Sequence, residues 1–192
     1  MGRLSKHDAI ALSCSGPIAR ASGVTYDVRK DEPYLAYPEF DFEVPYTVEG
    51  DCWARFIVRM EEMRQSSRII DQAVSRLPSG PANLPIAEKL PLPDKATAYG
   101  SMEGLIQHFE LIMPNRGFET PRDELYAAIE SSNGELGYYL VADGGEFAWR
   151  VRTRPPSFIH FAVFPHLIRG HTLSDVVAVL GSLNIIAAEL DR

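Results

Sequence analysis

The feature that most constrains this chain is one long amphipathic stretch, Asp51 to Leu77, DCWARFIVRMEEMRQSSRIIDQAVSRL. Trp53, Phe56, Ile57, Met60, Met63, Ser67, Ile70, Val74 and Leu77 recur at three- and four-residue steps, which predicts an apolar stripe on a helix facing a core. Asp51 after Gly50 supplies an N-cap, and Pro78-Ser79-Gly80-Pro81 enforces a stop. Glu61, Glu62, Arg64 and Arg68 fall off the stripe and read as its wet side. At 192 residues, one domain, or one plus an appendage, builds around that helix with a core that needs no disulfide staples.

Around the helix the pattern is irregular. Pro33, Pro38 and Pro45 punctuate residues 31–50, where alternation at Phe40, Phe42 and Val44 permits one short strand. Five prolines in residues 78–98 predict an extended, wrapping segment. A second helix is expected from Ser101 to Met113, with Met102, Leu105, Ile106, Phe109 and Ile112 inward. Residues 124–154 change period: turn signals at Asn133-Gly134 and Gly144-Gly145 separate three strands of a small antiparallel sheet with one solvated face, Trp149 and Val151 alternating with Arg150 and Arg152. Two helical pieces follow, about Ile159 to Arg169 and Asp175 to Ser182. The chain is thus α+β and mainly helical.

Composition removes several functions. Twenty-six acids against 19 bases give −7, which disfavours a sequence-independent grip on nucleic acid. Cys14 and Cys52 are the only cysteines, too few for a thiolate zinc site, an iron–sulfur cluster or a disulfide scaffold. The longest apolar run, Val176 to Ala188, falls short of the ~20 residues that span a bilayer, and the N-terminus lacks a secretory pattern, so the chain reads as soluble, reduced and cytoplasmic.

Local motifs for chemistry are thin. His160, His166 and His171, spaced by six and five, put no pair on one helical face, so no metal site is expected. Cys14 has no nucleophile elbow around it, and Gly144-Gly145 lacks the context of a phosphate cradle or a dinucleotide fingerprint. Adjacent Glu61 and Glu62 point in different directions on a helix, which argues against a paired acid–base role. The C-terminal NIIAAELDR is apolar and then abruptly charged, which reads either as a segment docked in a core or as a buried terminus lining a pocket.

Five ordered blocks carry a resemblance: SGPIARASGVTYDVRKDEPY (Ser15–Tyr34), GDCWARFIVRMEEMRQSSRII (Gly50–Ile70), GELGYYLVADGG (Gly134–Gly145), RVRTRPPSF (Arg150–Phe158) and GHTLSDVVAVLGSLNIIAAELDR (Gly170–Arg192). Together they resemble the C-terminal half of the D-type subunit family of proton-pumping NADH–quinone oxidoreductase (respiratory complex I), related to the large subunit of nickel–iron hydrogenases. The resemblance implies a fragment of the hydrogenase-large-subunit scaffold with a buried C-terminus. The former metal region then forms part of a quinone cavity against the terminal iron–sulfur cluster of the neighbouring B-type subunit. In the hydrogenase pattern two C-terminal cysteines hold the metal; Ile186 and Glu189 stand at those positions here, which removes the thiolates a nickel site needs.

Carried over, Ile186, Glu189 and Asn184 are the expected quinone-cavity residues, and Arg192 the residue at the cluster–quinone boundary. No catalytic residue, no metal ligand and no cofactor held by this chain alone is expected. The implied partners are the cluster-bearing B-type subunit, the C-type subunit and the N-terminal half of the D-type subunit, with quinone at a shared site. The implied place is peripheral, on the cytoplasmic face of the inner membrane, as part of an enzyme whose isolated chain is inactive. Asn184 stands where the family usually has an acid, Ala187-Ala188 replace an aromatic–Gly pair, and Pro155 takes a usual Ala position. The family's N-terminal half, with the His and Tyr that hold the quinone headgroup, has no counterpart, so the chain reads as a fragment, a split gene product or a diverged paralogue. A structural or assembly scaffold, or a degenerate hydrogenase-like large subunit, is the alternative.

Overall fold

The computed structural model describes residues 1–80, 94–112, 120–145 and 147–191, with side chains of 110–112 left aside. In chain order the helices are α1 (Lys6–Ala11), α2 (Gly16–Ala21), α3 (Val28–Asp31), α4 (Cys52–Ser75), α5 (Lys95–Gly100) and α6 (Met102–Ile112). The strands β1 (Asp123–Ser131), β2 (Gly134–Ala142) and β3 (Ala148–Arg154) then precede α7 (Pro156–Leu167) and α8 (Leu173–Leu183). Short 3₁₀ turns lie at Tyr37–Glu39 and Ala187–Glu189. The chain divides into two compact units, one of Met1–Leu77, Tyr126–Tyr138 and Thr153–Arg192, the other of Pro78–Leu125 and Tyr139–Arg152.

The first unit holds the main core. Leu4, Ala9 of α1, Ile18 of α2, Val163 and Leu167 of α7, and Val179 and Leu183 of α8 pack together, and Ala21 of α2 meets Ala54 and Val58 of α4. Arg55, fully buried on α4, clasps three separate segments. Its guanidinium donates to Gly2 O (2.8 Å), Gly50 O (2.9 Å) and Ser182 Oγ (3.0 Å). Asp51 accepts from Ala54 N at 2.8 Å and starts α4 as expected. Gly50 makes that entry possible: its φ is +67°, and a Cβ there would lie 2.0 Å from Leu4 O.

The long helix is where the sequence places it, but its orientation is reversed. The apolar stripe expected inward is exposed at Trp53, Phe56, Met60, Met63, Ile70, Val74 and Leu77, with Trp53 67% accessible. Ala54, Arg55 and Val58 are buried instead. Small Ala54 and Val58 let α2 approach closely, and Arg55 needs a site ringed with acceptors, so these residues rather than the large apolar ones choose the inner face.

Three further expectations are corrected. No strand forms at Phe40–Val44; the Asp41 and Glu43 N–H groups donate to the Gln72 and Gln65 side chains of α4 at 2.9 and 3.1 Å, and a ladder partner is thereby replaced. Phe42 of that segment is buried, with Lys30 Nζ 4.0 Å from its ring centre. Within 78–98, residues 81–93 lie outside the described residues, and α5 begins at Lys95 because Asp94 caps Thr97 N at 2.8 Å. In the second unit α6 forms and Ser101 receives Gly104 N at 3.0 Å, yet Met102, Leu105, Ile106 and Phe109 are exposed. The Ile112 side chain and Met113 lie outside what is described.

The three strands form one sheet in the order β1–β2–β3, as their turn signals predict. Trp149 and Val151 are both exposed, so the expected alternation does not produce a buried face there. The β1–β2 turn belongs to the first unit, and Gly16 packs on it so tightly that a Cβ would sit 2.4 Å from Gly134 Cα. Helix α7 starts earlier than expected, at Pro156, and α8 opens with a capping box between Thr172 and Asp175. No helix among the described residues is long and apolar enough to cross a membrane.

His160 is a core residue of α7. Its Nε2 accepts from Ser15 N at 3.5 Å, and Nδ1 has no acceptor among the described residues. Burial first, and the charges of Arg59 and Arg154 next, push its pKa down to about 4. The unfolded chain therefore takes up a proton near pH 6.5 that the native state refuses until about pH 4, so stability falls as pH drops through that window. Between pH 7.5 and 4.5 the difference in unfolding free energy between wild type and His160→Gln is expected to shrink by about 2–3 kcal/mol. Urea titrations at the two pH values measure it; parallel pH profiles would refute the assignment.

Candidate functional site

Arg20 lies in the small-residue run GPIARASGV and is 2% exposed, a permanent charge that the fold must neutralise. Three carboxylates converge on it. Glu62 of α4 accepts from Nε at 2.7 Å, Glu130 of β1 lies 2.8 Å from Nη2, and Asp27, the N-cap of α3, lies 3.5 Å from Nη1. Arg29 closes the cluster with a two-pronged pair on Asp27 at 2.9 and 2.7 Å. Burial raises Asp27, but the hydrogen bond and charge of Arg29, and then Arg20, hold it below the usual carboxylate range. For Glu62 and Glu130 burial wins, and both stay above that range despite Arg20.

This cluster forms one wall of a cavity of about 540 Å³. Phe56, Met60 and Met63 of α4 give it an apolar side, and Arg59, Ser131, Ser132 and Asn184 complete its polar side. Arg59 donates to the last carbonyls of α8, Ser182 O at 2.7 Å and Leu183 O at 3.3 Å. Among the described residues its Nε is buried without an acceptor, and burial lowers its pKa. An adjoining cavity of about 430 Å³ shares Phe56, Arg59 and Asn184.

Of the four residues expected at a quinone site, Asn184 reaches this cavity. It sits in the left-handed conformation, φ 55°, ends α8, and donates Nδ2 to Asn133 Oδ1 at 2.8 Å. Ile186 and Glu189 do not line it. The expected burial of the C-terminal segment is also corrected: Ile186 is 45% exposed, and Ala187 and Ala188 are exposed as well. The segment is held by its ends instead. Glu189 Oε2 accepts from Ser157 N at 2.9 Å, and Ile186 N donates to Ser157 Oγ at 3.3 Å. Pro155 cannot cap α7 with its side chain, so the Glu189 carboxylate takes that place at the positive end of the helix. Arg192 lies outside the described residues.

Sequence reasoning passed over Arg20, Asp27 and Glu130, and assigned Glu62 to the wet side of α4. The available signal was a charge inside a run of small buried residues, which demands partners from elsewhere in the chain. No group of three or more His, Cys, Asp or Glu among the described residues is placed to hold a metal ion.

A family model described as "Respiratory-chain NADH dehydrogenase, 49 Kd subunit" matches residues 1–192. The chain belongs to this family. The D-type subunit of NADH-quinone oxidoreductase from Methylacidiphilum infernorum is 47% identical over 195 residues, covering 100% of this chain and 45% of that protein. The mitochondrial NADH-ubiquinone oxidoreductase 49 kDa subunit of Neurospora crassa is 43% identical, over 100% of this chain and 40% of its own length. The C/D-type subunit of NADH-quinone oxidoreductase from Bdellovibrio bacteriovorus is 45% identical over 98% of this chain and 33% of that protein. The chain therefore spans less than half the length of these 49 kDa family relatives.

Removing Arg20 leaves buried acids without their shared cation. Arg20→Met is expected to cost about 3–5 kcal/mol at pH 8 in urea unfolding. Glu62 and Glu130, already raised, then take up protons most readily in the native state, so the deficit shrinks as pH falls toward 5. A deficit independent of pH would show that the carboxylates do not depend on Arg20.

Proposed function

We propose that this chain is a peripheral-arm module of a proton-translocating NADH–quinone oxidoreductase and forms part of a quinone cavity beside the iron–sulfur cluster of a neighbouring subunit. The observation that carries the proposal is the family match over every residue, joined to a cavity with an aliphatic and aromatic wall facing fixed polar groups. Its volume of about 540 Å³ suits a ring-sized ligand. The names of relatives support the reaction, and the C/D-type relative supports a C-type neighbour. The further partners are a cluster-bearing subunit and the remainder of a family-length D-type subunit, assembled peripherally on the cytoplasmic membrane face.

Each residue has a distinct task in this reading. Phe56 and Met60 offer the ring an apolar surface, and the Arg59 charge favours an oxygen that gains negative charge on reduction. Asn184 orients a carbonyl through a hydrogen bond and transfers no proton, unlike the acid that the family pattern has there. Glu189 fixes the position of the C-terminal segment through Ser157, which leaves exposed Ile186 available to a cavity completed by a partner. Arg192 supplies a fixed positive charge at the cluster boundary. Quinone, when bound, supplies the two-electron carrier; the cluster that feeds it belongs to the partner.

A second reading, a scaffold without redox duty, rests on Asn184 in place of an acid. The two separate in the assembled complex. Asn184→Asp keeps a residue that tolerates the left-handed backbone but puts a carboxylate at the cavity rim. It restores the acid of the family pattern and is expected to raise the quinone kcat severalfold by returning a proton-transferring group, and to change the melting temperature little. A light-activated quinone analogue should mark α4 or the Asn184 corner. Unchanged kinetics with no label on this chain would leave the scaffold reading.

A further inference from the structure

The charges around Arg20 do not balance. Arg20 and Arg29 bring two guanidinium charges that persist at any ordinary pH, while Asp27, Glu62 and Glu130 bring three acids into the same buried space. A surplus carboxylate there meets a desolvation cost that a protonated one avoids. Hydrogen bonding separates the three acids. Asp27 accepts both prongs of the Arg29 guanidinium and the Arg29 backbone N–H at 2.9 Å. Glu62 accepts from Arg20 Nε at 2.7 Å. Glu130 is the least well supplied: its Oε2 accepts from Val28 N at 3.3 Å. Its Oε1, though 2.8 Å from Arg20 Nη2, lies out of line with the N–H bonds and is buried without a hydrogen bond among the described residues. The neighbouring groups do not restore the balance. Asp31 adds a further acid on the Asp27 backbone N–H at 2.8 Å, and Tyr34 Oη accepts from the Glu130 backbone N–H at 3.2 Å. Burial pushes the Tyr26 hydroxyl up to about 12, and Arg59 is turned to the carbonyls that end α8.

We propose that Glu130 is the neutral member of this cluster and that its carboxyl O–H is a hydrogen-bond donor of the cavity, set to hold a carbonyl oxygen of the ligand. With Glu130 protonated, two cations face two carboxylates and the surplus charge is gone. The side chain is 3% exposed yet lines the cavity, so the unpartnered Oε1 has the ligand space as its outlet. Burial, acting against the charge of Arg20, raises Glu130 above the usual carboxylate range, as this arrangement requires. The proton on Glu130 follows from the cluster alone; its use by a ligand rests on the quinone-cavity reading above. Once an outside electron donor has reduced the ring, the ligand oxygen becomes the stronger base. The Glu130 O–H bond then breaks, an O–H bond to the ring oxygen forms, and Glu130 remains as a carboxylate beside Arg20 until solvent returns a proton.

The test uses the full chain at pH 6, where an exposed glutamate is ionised. Infrared spectra are expected to show a protonated-carboxyl band that shifts in heavy water and on carbon-13 labelling of glutamate. The band should vanish in Glu130→Gln and persist in Glu62→Gln. Glu130→Gln exchanges one neutral group for another and should melt at or above wild type at pH 6, whereas Glu62→Gln strips Arg20 of a charged partner and should melt lower. As pH falls toward 4, wild type should gain on Glu130→Gln, because the native state holds a proton that the unfolded chain takes up only near pH 4.3. Duroquinone, whose substituted ring does not alkylate thiols, should lower the frequency of the band; durene, the same ring without oxygens, should leave it in place. Absence of the band in wild type overturns the proposal. So does a band that survives Glu130→Gln, a band unmoved by bound duroquinone, or a Glu130→Gln chain that melts as low as Glu62→Gln. Labelled wild-type spectra decide the question even if a variant fails to fold. If duroquinone does not bind at all, the quinone-cavity reading falls and the proton on Glu130 stands.

Discussion

The first unit depends on the buried charge of Arg20. A guanidinium that cannot lose its proton and cannot reach water has to be surrounded by acids, and those acids come from three different places: the cap of α3, the middle of α4 and the end of β1. Arg20 thereby fixes how α2 lies against α4 and where the β1–β2 turn meets both. The ion network is a weak source of net stability, because desolvation offsets most of the attraction. Its effect is specificity: any arrangement that separates the acids from Arg20 leaves bare charges inside.

That network also explains the character of the neighbouring cavity. Arg20 and Arg29 offset most of the charge of Asp27, Glu62 and Glu130, two cations against three acids, so the wall is polar without carrying a strong field of one sign. Arg59 is the exception, held by backbone carbonyls at the end of α8 rather than by an acid. A fixed positive charge beside Phe56 and Met60 is a suitable environment for a flat apolar ligand whose oxygens become more negative on reduction.

The two ends of the chain's last segment illustrate how position along a fold redefines a residue. Glu189 and Ile186, three apart, are drawn to the same Ser157 at the start of α7, one through its side chain and the other through its backbone. Glu189 spends its charge on a helix terminus. Asn184 turns the chain with a left-handed backbone and still reaches Asn133 across the turn of the sheet.

Periodicity, capping and turn chemistry are local, and they determined the elements: the start of α4 at Asp51, its length, the three strands, the two helices after Pro155-Pro156, and the membership of the family through ordered motifs. The side of α4 that faces inward was not a local matter. Hydrophobic spacing identifies an apolar stripe but not what covers it, and here the closest neighbour, α2, demanded small residues and acids instead of large apolar ones. The same holds for the site. The separations between Arg20, Glu62 and Glu130 along the chain carry no period, so their convergence followed from the packing of α2, α4 and β1, where the cost of an uncompensated charge left one arrangement to choose.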